Sequence, residues 1–180
     1  MKNTAVILAI VLLLFCAPCA FAAAPIDALC AAVENDDFDA VDTTLVSYPD
    51  MINGICSGGM APLHCAVSKK MAEYLISKGA DVNLRAFTKN TPLHCAAANG
   101  YVEVAKVLLK NGASPSAIGM TGQSPLHLAA KKGSVEMIKL LVSNGAAINQ
   151  KDDHGHTPLD VAKQNDRDEA ASALQSLGGR

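Results

Sequence analysis

Three histidines recur at regular intervals in this 180-residue chain, and two of them are followed directly by a cysteine. His64 and His94 precede Cys65 and Cys95, and His127 lies 33 residues after His94. Imidazole and thiolate are common ligands of transition metals, so these side chains raise the question of metal or thiol chemistry. Zinc ligands, however, usually lie about two to five residues apart or converge in space. Equivalent positions one repeat apart are expected to point in parallel along a stack, which argues against a metal site.

Sequence patterns for catalysis are missing as well. The chain contains no G-x-S-x-G motif, no phosphate-cradling glycine loop and no H-E-x-x-H pair. The acidic residues Asp36, Asp37 and Asp39 are interpreted as a solvated surface, and His154 and His156 as exposed loop residues rather than metal ligands. We therefore expect no enzymatic activity and no cofactor.

The composition limits the classes of partner. Fifteen Lys and Arg face 17 Asp and Glu, which leaves a net charge of only −2. A nucleic-acid-binding protein usually carries a basic stripe, and none is present, so we expect no nucleic-acid partner. Half of the residues are hydrophobic, which is enough to build the core of one domain.

The first 22 residues have the order of a secretory signal peptide. Lys2 is followed by an apolar run from Ala5 to Phe15, then by Pro18 and by an A-x-A cleavage site at residues 20–22. We predict a signal peptide over residues 1–22, a mature domain over 23–180, and a periplasmic or secreted location. The alternative is an uncleaved anchor, because residues 5–24 are uncharged over about the length of a bilayer span. Both alternatives place the rest of the chain outside the cytoplasm.

Two motifs recur in one phase along the mature chain. The first is a Thr, Ser or Ala before Pro-Leu, and it starts at residues 61, 91, 124 and 157. The second is an apolar pair followed two residues later by Gly-Ala, and it ends at residues 80, 113 and 146. Thr or Ser before Pro is a favourable helix start, since proline costs nothing at the first helical position.

Glycines and turn residues divide each repeat. Gly100 and Gly133 follow the first helix and allow a tight reversal, and Gly112 and Gly145 follow the second helix where a left-handed C-cap is needed. The segment before the next Thr-Pro is rich in Asn, Asp and Gly, as in residues 147–156, and predicts an extended finger.

These motifs resemble the ankyrin repeat, whose T-P-L-H-x-A signature they reproduce almost completely. The resemblance covers about residues 26–180. It implies an all-α solenoid of about five stacked helix-turn-helix repeats with short β-hairpin-like fingers. The repeats lie near 26–57 (a degenerate cap), 60–89, 90–122, 123–155 and 156–180 (a C-terminal cap).

The chain departs from the pattern in two places. The repeat at 60–89 lacks three residues between Ala66 and Tyr74, which predicts a shortened turn between its helices and a trimmed outer helix. The last repeat has Asp160 in place of the histidine, and its second helix is polar, as expected of a cap that faces water.

The resemblance also assigns roles to the histidines. In ankyrin repeats this histidine is structural and hydrogen-bonds the Thr-Pro turn and the backbone of the next repeat, which implies the same role for His64, His94 and His127.

The mature chain keeps four cysteines, and an oxidising compartment favours disulfides. Cys65 and Cys95 are equivalent in adjacent repeats and therefore roughly 10 Å apart, beyond the roughly 7 Å between Cα atoms that a disulfide spans. Cys30 and Cys56 are freer to meet, and a Cys30–Cys56 bridge that pins the cap is a hypothesis. The alternative is four reduced thiols.

The resemblance implies a concave binding surface made of fingers and inner helices. Apolar residues on exposed finger tips suggest a protein contact, although packing between neighbouring fingers is an alternative. The finger candidates are Met60, Arg85, Phe87, Thr88, Asn90, Ile118, Met120, Thr121, Gln123, Lys151, Asp153, His154 and His156. The inner-helix ends add Ala98, Asn99, Lys131, Lys132, Gln164 and Asn165.

The predicted function is therefore a non-catalytic protein–protein interaction module acting outside the cytoplasm. We expect a monomer that binds a protein partner and has no membrane contact beyond an N-terminal anchor. The alternative is a thiol- or metal-handling protein of the envelope that uses Cys65, Cys95 and the finger histidines.

Overall fold

The computed structural model describes residues 24–180, and the predicted signal peptide lies outside the described residues. This part of the chain contains α-helices and two short 3₁₀ helices, Pro49–Asn53 and Pro62–Cys65, but no β-strand. The α-helices are α1 (Pro25–Glu34), α2 (Phe38–Ser47), α3 (Lys69–Ser77), α4 (Pro92–Asn99), α5 (Val102–Lys110), α6 (Pro125–Lys132), α7 (Val135–Ser143), α8 (Pro158–Gln164) and α9 (Asp168–Ser176). The all-α prediction is confirmed. None of the helices within residues 24–180 is long and apolar enough to span a membrane.

The helices form two layers. Helices α4, α6 and α8 pack side by side in an inner layer, which the 3₁₀ helix Pro62–Cys65 and α1 continue toward the N-terminus. Helices α3, α5, α7 and α9 pack in the same order in an outer layer. The core lies between the layers, where Leu93 and Leu126 of the inner helices and Leu75, Leu108 and Leu141 of the outer helices are fully buried. Because each repeat is packed mainly against its neighbours, the fold is built as a linear stack.

Local signals set the ends of the inner helices. Thr91, Ser124 and Thr157 occupy the N-cap positions, and a proline follows each of them at the first helical position. Gly100 and Gly133 end α4 and α6 with φ angles of +81° and +85°, a conformation that a residue with a Cβ atom adopts only with strain. Short helices therefore begin and end at fixed points in each repeat, which keeps equivalent side chains in register along the stack.

In the repeat at 60–89 the inner helix is the element that is shortened, so the prediction of a trimmed outer helix is wrong. Helix α3 has nine residues, as α5 and α7 do, whereas the inner element Pro62–Cys65 is a single 3₁₀ turn of four residues. The turn between the two helices is not shortened either, since residues 66–68 connect them where residues 100–101 connect α4 and α5.

Burial explains this outcome. Met71, Ala72 and Leu75 of α3 are fully buried, so a shorter outer helix would remove core contacts. The Ser68 hydroxyl accepts a hydrogen bond from the Met71 backbone N–H at 3.1 Å and fixes the start of α3. The inner helix, by contrast, needs only its first turn to bury Leu63.

The fingers are tight turns joined to one another through the backbone. Each is closed by a bond such as Ala86 N–H to Asn90 O at 2.9 Å or Gly119 N–H to Gln123 O at 2.9 Å. One further bond links each finger to the next: Phe87 N–H to Gly59 O (2.9 Å), Met120 N–H to Thr88 O (2.9 Å) and Asp153 N–H to Thr121 O (3.2 Å). The predicted β-hairpin-like fingers are therefore turns without strands in the described residues.

We expect Leu126→Ala to lower the free energy of unfolding by about 2–5 kcal/mol, because it opens a cavity at the centre of the inner layer. Leu177→Ala is the matched control, since Leu177 is 38% exposed, and its effect should stay within about 0.5 kcal/mol. Urea unfolding followed by circular dichroism measures both, and equal losses would contradict the assignment of Leu126 to the core.

Candidate binding site

The His94 ring lies between the start of its own helix and the next finger. Its Nδ1 atom accepts a hydrogen bond from the Thr91 backbone N–H at 3.1 Å. Because Nδ1 accepts, the ring proton of the neutral imidazole is on Nε2, which lies 3.1 Å from Gln123 O and donates to it. The ring therefore fixes a helix start and holds the neighbouring finger at the same time.

The same arrangement occurs at the two other repeat histidines. His64 Nδ1 accepts from Ala61 N–H at 3.3 Å and Nε2 lies 3.0 Å from Asn90 O. The corresponding distances for His127 are 3.1 Å to the Ser124 nitrogen and 3.1 Å to His156 O. We call His64, His94 and His127, with the carbonyls they contact, the histidine ladder.

Asp160 occupies the histidine position of the last repeat and makes the hydrogen bonds to the start of its own helix, but not the bond to a following finger. Its Oδ2 atom accepts from both the backbone N–H and the hydroxyl of Thr157, each at 2.9 Å. These hydrogen bonds lower the pKa of Asp160. A carboxylate, which only accepts, satisfies this position.

Burial keeps the ladder rings neutral. Removal from water lowers the pKa of His94 to about 4, although the hydrogen bond to the Gln123 carbonyl favours the protonated ring and opposes part of the shift. Burial likewise lowers the pKa of His64 and of His127. At neutral pH each ring thus has one donor and one acceptor nitrogen, both used within the stack.

The finger histidines form a separate pair at the last finger. The rings of His154 and His156 stack with centroids 6.0 Å apart and planes 13° apart. The buried Asp152 side chain accepts hydrogen bonds from both backbone N–H groups, at 3.0 and 2.9 Å. Burial alone would raise the pKa of Asp152, but these bonds outweigh it and lower the pKa. Residues 24–180 contain no group of three or more His, Cys, Asp or Glu placed to hold a metal ion.

The cysteines of the N-terminal half form a cluster around Cys30. Interaction with the Cys65 thiol, burial and the nearby Cys56 thiol raise the pKa of Cys30, and burial raises the pKa of Cys95 to about 11. All four cysteines of the described chain are free thiols, so the hypothesised Cys30–Cys56 disulfide is not formed in this structure. Thiols with raised pKa values are protonated at neutral pH and are poor nucleophiles.

The predicted finger residues lie in one row, but they differ in exposure. Phe87, Met120 and Ile118 are 75%, 60% and 48% exposed. The other exposed members are Arg85, Thr88, Thr121, Lys151, Asp153 and His154, whereas Met60, Asn90, Gln123 and His156 are half-buried. The backbones of Asn90, Gln123 and His156 belong to the histidine ladder, which explains why these residues are less accessible.

Packing between neighbouring fingers explains only some of the residues in this row. The Phe87 ring lies against Gly59, where an added Cβ would come within 2.9 Å of it. Arg85 Nη1 donates to Ile118 O at 2.8 Å and so joins two fingers. Phe87 nevertheless keeps three quarters of its surface in water, so packing between fingers does not explain its apolar character.

The inner-helix face carries two hollows. The hollow nearer the N-terminus has a volume of about 300 Å³ and is lined by Glu34, Met60, His64, Cys65, Val67, Cys95, Asn99 and Tyr101. The hollow nearer the C-terminus has about 310 Å³ and is lined by Ala98, Leu128, Lys131, Lys132 and Arg167. The predicted inner-helix residues Asn99, Lys131 and Lys132 thus border a groove, together with residues that were not predicted.

Sequence reasoning missed Leu128, Tyr101 and Arg167. Leu128 occupies the variable position of the T-P-L-H-x-A signature, as Cys95 does one repeat earlier, so its repeat position could have identified it. Arg167 had no such signal. Its Nε atom donates to Lys131 O at 3.2 Å. This bond joins two adjacent repeats and therefore depends on how the repeats stack.

The fold and the histidine ladder agree with the comparisons to known proteins. The family model described as ankyrin repeats (3 copies) matches residues 5–86, 29–119 and 116–179. The chain is 48% identical over 52 residues to the human transient receptor potential cation channel subfamily A member 1, and this match covers 27% of the chain and 5% of the channel. It is 36% identical over 83 residues to an ankyrin repeat protein of Acanthamoeba polyphaga mimivirus, over 44% of the chain and 11% of the relative.

Because the family matches span most of its length, this chain belongs to the ankyrin-repeat family. The resemblance inferred from the sequence is confirmed. The matched relatives are much longer than this chain, which covers 5% and 11% of their lengths. These matches therefore show that the chain shares the ankyrin repeat with these proteins, and they do not show a shared activity.

Acidification should destabilise the protein before its carboxylates titrate. The folded-state pKa of His94, about 4, lies below the unfolded value of about 6.5. The unfolded state therefore binds more protons at acid pH, so stability is full above about pH 7 and is lost as pH falls toward 4. His94 alone contributes roughly 3 kcal/mol to this loss, and His64 and His127 add to it in the same direction.

The measurement is urea unfolding at pH 7.5, 6 and 5. His94→Asn should be less stable than the wild type at pH 7.5, because it loses the bond to Gln123, and its stability should depend less on pH. An unchanged pH dependence in this variant would contradict a buried neutral ring at position 94.

Proposed function

We propose that this protein is a non-catalytic protein-binding module that acts outside the cytoplasm and contacts its partner through the fingers and the inner-helix groove. Ankyrin repeats generally mediate protein–protein interaction, which is the coarse function that the family supports. The observation that carries the finer proposal is the row of exposed apolar finger tips, led by Phe87 and Met120.

The exposed apolar side chains support a contact surface because they cost free energy in water. Two large apolar side chains that project from adjacent fingers, with most of their surface accessible, are typical of residues that become buried in a complex. The backbone bonds between fingers hold both residues in place before binding, so less conformational entropy is lost when a partner docks.

The groove beside the fingers supplies the remainder of the surface. Its floor includes Cys95 and Leu128, both partly accessible, and its borders carry Asn99, Lys131 and Lys132. An apolar floor with polar borders is the usual composition of a protein interface.

The location rests on the first 22 residues. Lys2, the apolar run and the A-x-A site at residues 20–22 support export of the repeats, and cleaved or anchored forms would place them on the same side of the membrane.

Truncation of the finger tips should weaken partner binding. We expect Phe87→Ala and Met120→Ala each to reduce recovery of the partner from an envelope extract by about tenfold, as for the loss of an interface hot spot. Val46→Ala is the control, because Val46 is 77% exposed but lies on α2, away from the fingers. A partner retained fully by both finger variants would move the interface off the fingers.

Export can be tested with the full-length chain in a bacterial host. We expect the protein in the periplasmic fraction, with an intact mass that corresponds to loss of residues 1–22. Leu13→Arg interrupts the apolar run and should leave full-length protein in the cytoplasm. Unprocessed wild-type protein in the cytoplasm would contradict the proposed location.

A further inference from the structure

Three cations surround the C-terminal hollow of the inner-helix face. Lys131 and Lys132 end helix α6, and Arg167 reaches them from the turn between α8 and α9. Leu128 and Ala98 form the apolar part of the same hollow. We call these five residues the basic groove.

The cations of the basic groove have no carboxylate partners in the described chain. The Lys and Arg ion pairs within residues 24–180 involve Lys69, Lys78 and Lys106, and none of these residues borders the groove. Asp166, Asp168 and Glu169 lie beside the neighbouring hollow, together with Lys132 and Arg167, but none of them is within ion-pair distance of either. The three charged side chains that line this hollow are therefore all positive, whereas the carboxylates line the adjacent hollow.

Helix stability explains only part of this cluster. Lysines in the last turn of a helix interact favourably with its dipole, by a few tenths of a kcal/mol at an exposed site. Arg167 adds to helix stability, because its Nε atom donates to the Lys131 carbonyl in the last turn of α6. Neither effect accounts for the apolar side chains that line the same hollow.

The other end of the inner-helix face has a different charge. Its hollow is bordered by Glu34 and by uncharged side chains such as Asn99 and Tyr101, and no Lys or Arg lines it. The groove is therefore neutral to acidic near the N-terminus and basic near the C-terminus. A ligand with a charged and an uncharged part would bind in one direction only.

We propose that the basic groove binds an acidic segment of the protein partner, with Asp or Glu side chains at Lys131, Lys132 and Arg167 and an apolar side chain against Leu128 and Ala98. This inference rests on the proposed protein-binding function and specifies the chemistry of the partner. Carboxylates form charge-assisted hydrogen bonds with ammonium and guanidinium groups, and the guanidinium of Arg167 accepts a carboxylate in a bidentate geometry.

Two other anionic ligands fit the groove less well. Nucleic acid is disfavoured because the protein has a net charge of −2 and no basic stripe beyond these three residues. A lipid surface would contact a flat or protruding basic patch, whereas these cations border a hollow with an apolar wall. An acidic segment with an apolar residue matches both properties.

The test uses a phage-displayed library of random 16-residue peptides, selected against the mature protein. Selected peptides should be enriched in Asp and Glu next to an apolar residue. In fluorescence-polarisation titrations their affinity should fall at least tenfold in the double variant Lys131→Glu/Lys132→Glu, and also at high salt. The double variant Lys110→Glu/Lys139→Glu changes two exposed lysines of the outer helices and should bind as the wild type does.

The outcomes separate this inference from the proposed function. Selected peptides that lack acidic enrichment and tolerate the reversal at 131 and 132, but are weakened by Phe87→Ala, would overturn the acidic segment and leave protein binding intact. Recovery of no binding peptide would also overturn it, and so would binding of phosphatidylglycerol vesicles that depends on Lys131 and Lys132. The pull-down with the finger variants then decides the proposed function separately. Circular dichroism establishes that each variant is folded.

Discussion

The three middle repeats of this protein each contain a buried imidazole, and residues of the same repeat hydrogen-bond only one of its two ring nitrogens. His94 accepts from the start of its own helix and donates to a carbonyl of the next finger, and His64 and His127 do the same. An unsatisfied ring nitrogen in this environment would cost free energy, so a ladder histidine is stable only when the following finger is in place. The stack therefore depends on this bond for the register between repeats, and the apolar core between the two helix layers supplies most of the stability.

This constraint determines where the surface that we propose for binding lies. The rings hold the finger backbones at Asn90, Gln123 and His156, which leaves the tips at Phe87 and Met120 projecting into water. The same stacking brings the ends of successive inner helices side by side, so that Leu128 and Lys131 of one repeat meet Arg167 of another. The shape of this surface therefore follows from the regular stacking of the repeats. Its chemical character depends on the few positions whose residue type differs from one repeat to the next.

The thiols show how the same regularity can be misleading. By position in the repeat, Cys65 and Cys95 look like a functional pair and Cys30 and Cys56 like a structural one. In the fold the nearby thiols of both Cys65 and Cys56 raise the pKa of Cys30, because α1 packs directly on the shortened inner element Pro62–Cys65. The position of a residue in the repeat predicts which residues are equivalent, but it does not predict which side chains are close in space. The first repeat lacks the Thr-Pro pattern, so its packing against the second repeat could not be predicted from that pattern.

The sequence by itself determined the helix starts at Thr-Pro and Ser-Pro, the glycine-ended helices and the finger positions, because all of these depend on contacts within a few residues. It also contained the candidate residues of the binding face, including Lys131 and Lys132. Only the tertiary structure decided that the short repeat keeps its outer helix and reduces its inner one, since this depends on the burial of Met71, Ala72 and Leu75. It also decided that Arg167 completes a basic groove, because a side chain from one repeat reaches a carbonyl of another only once the repeats are stacked.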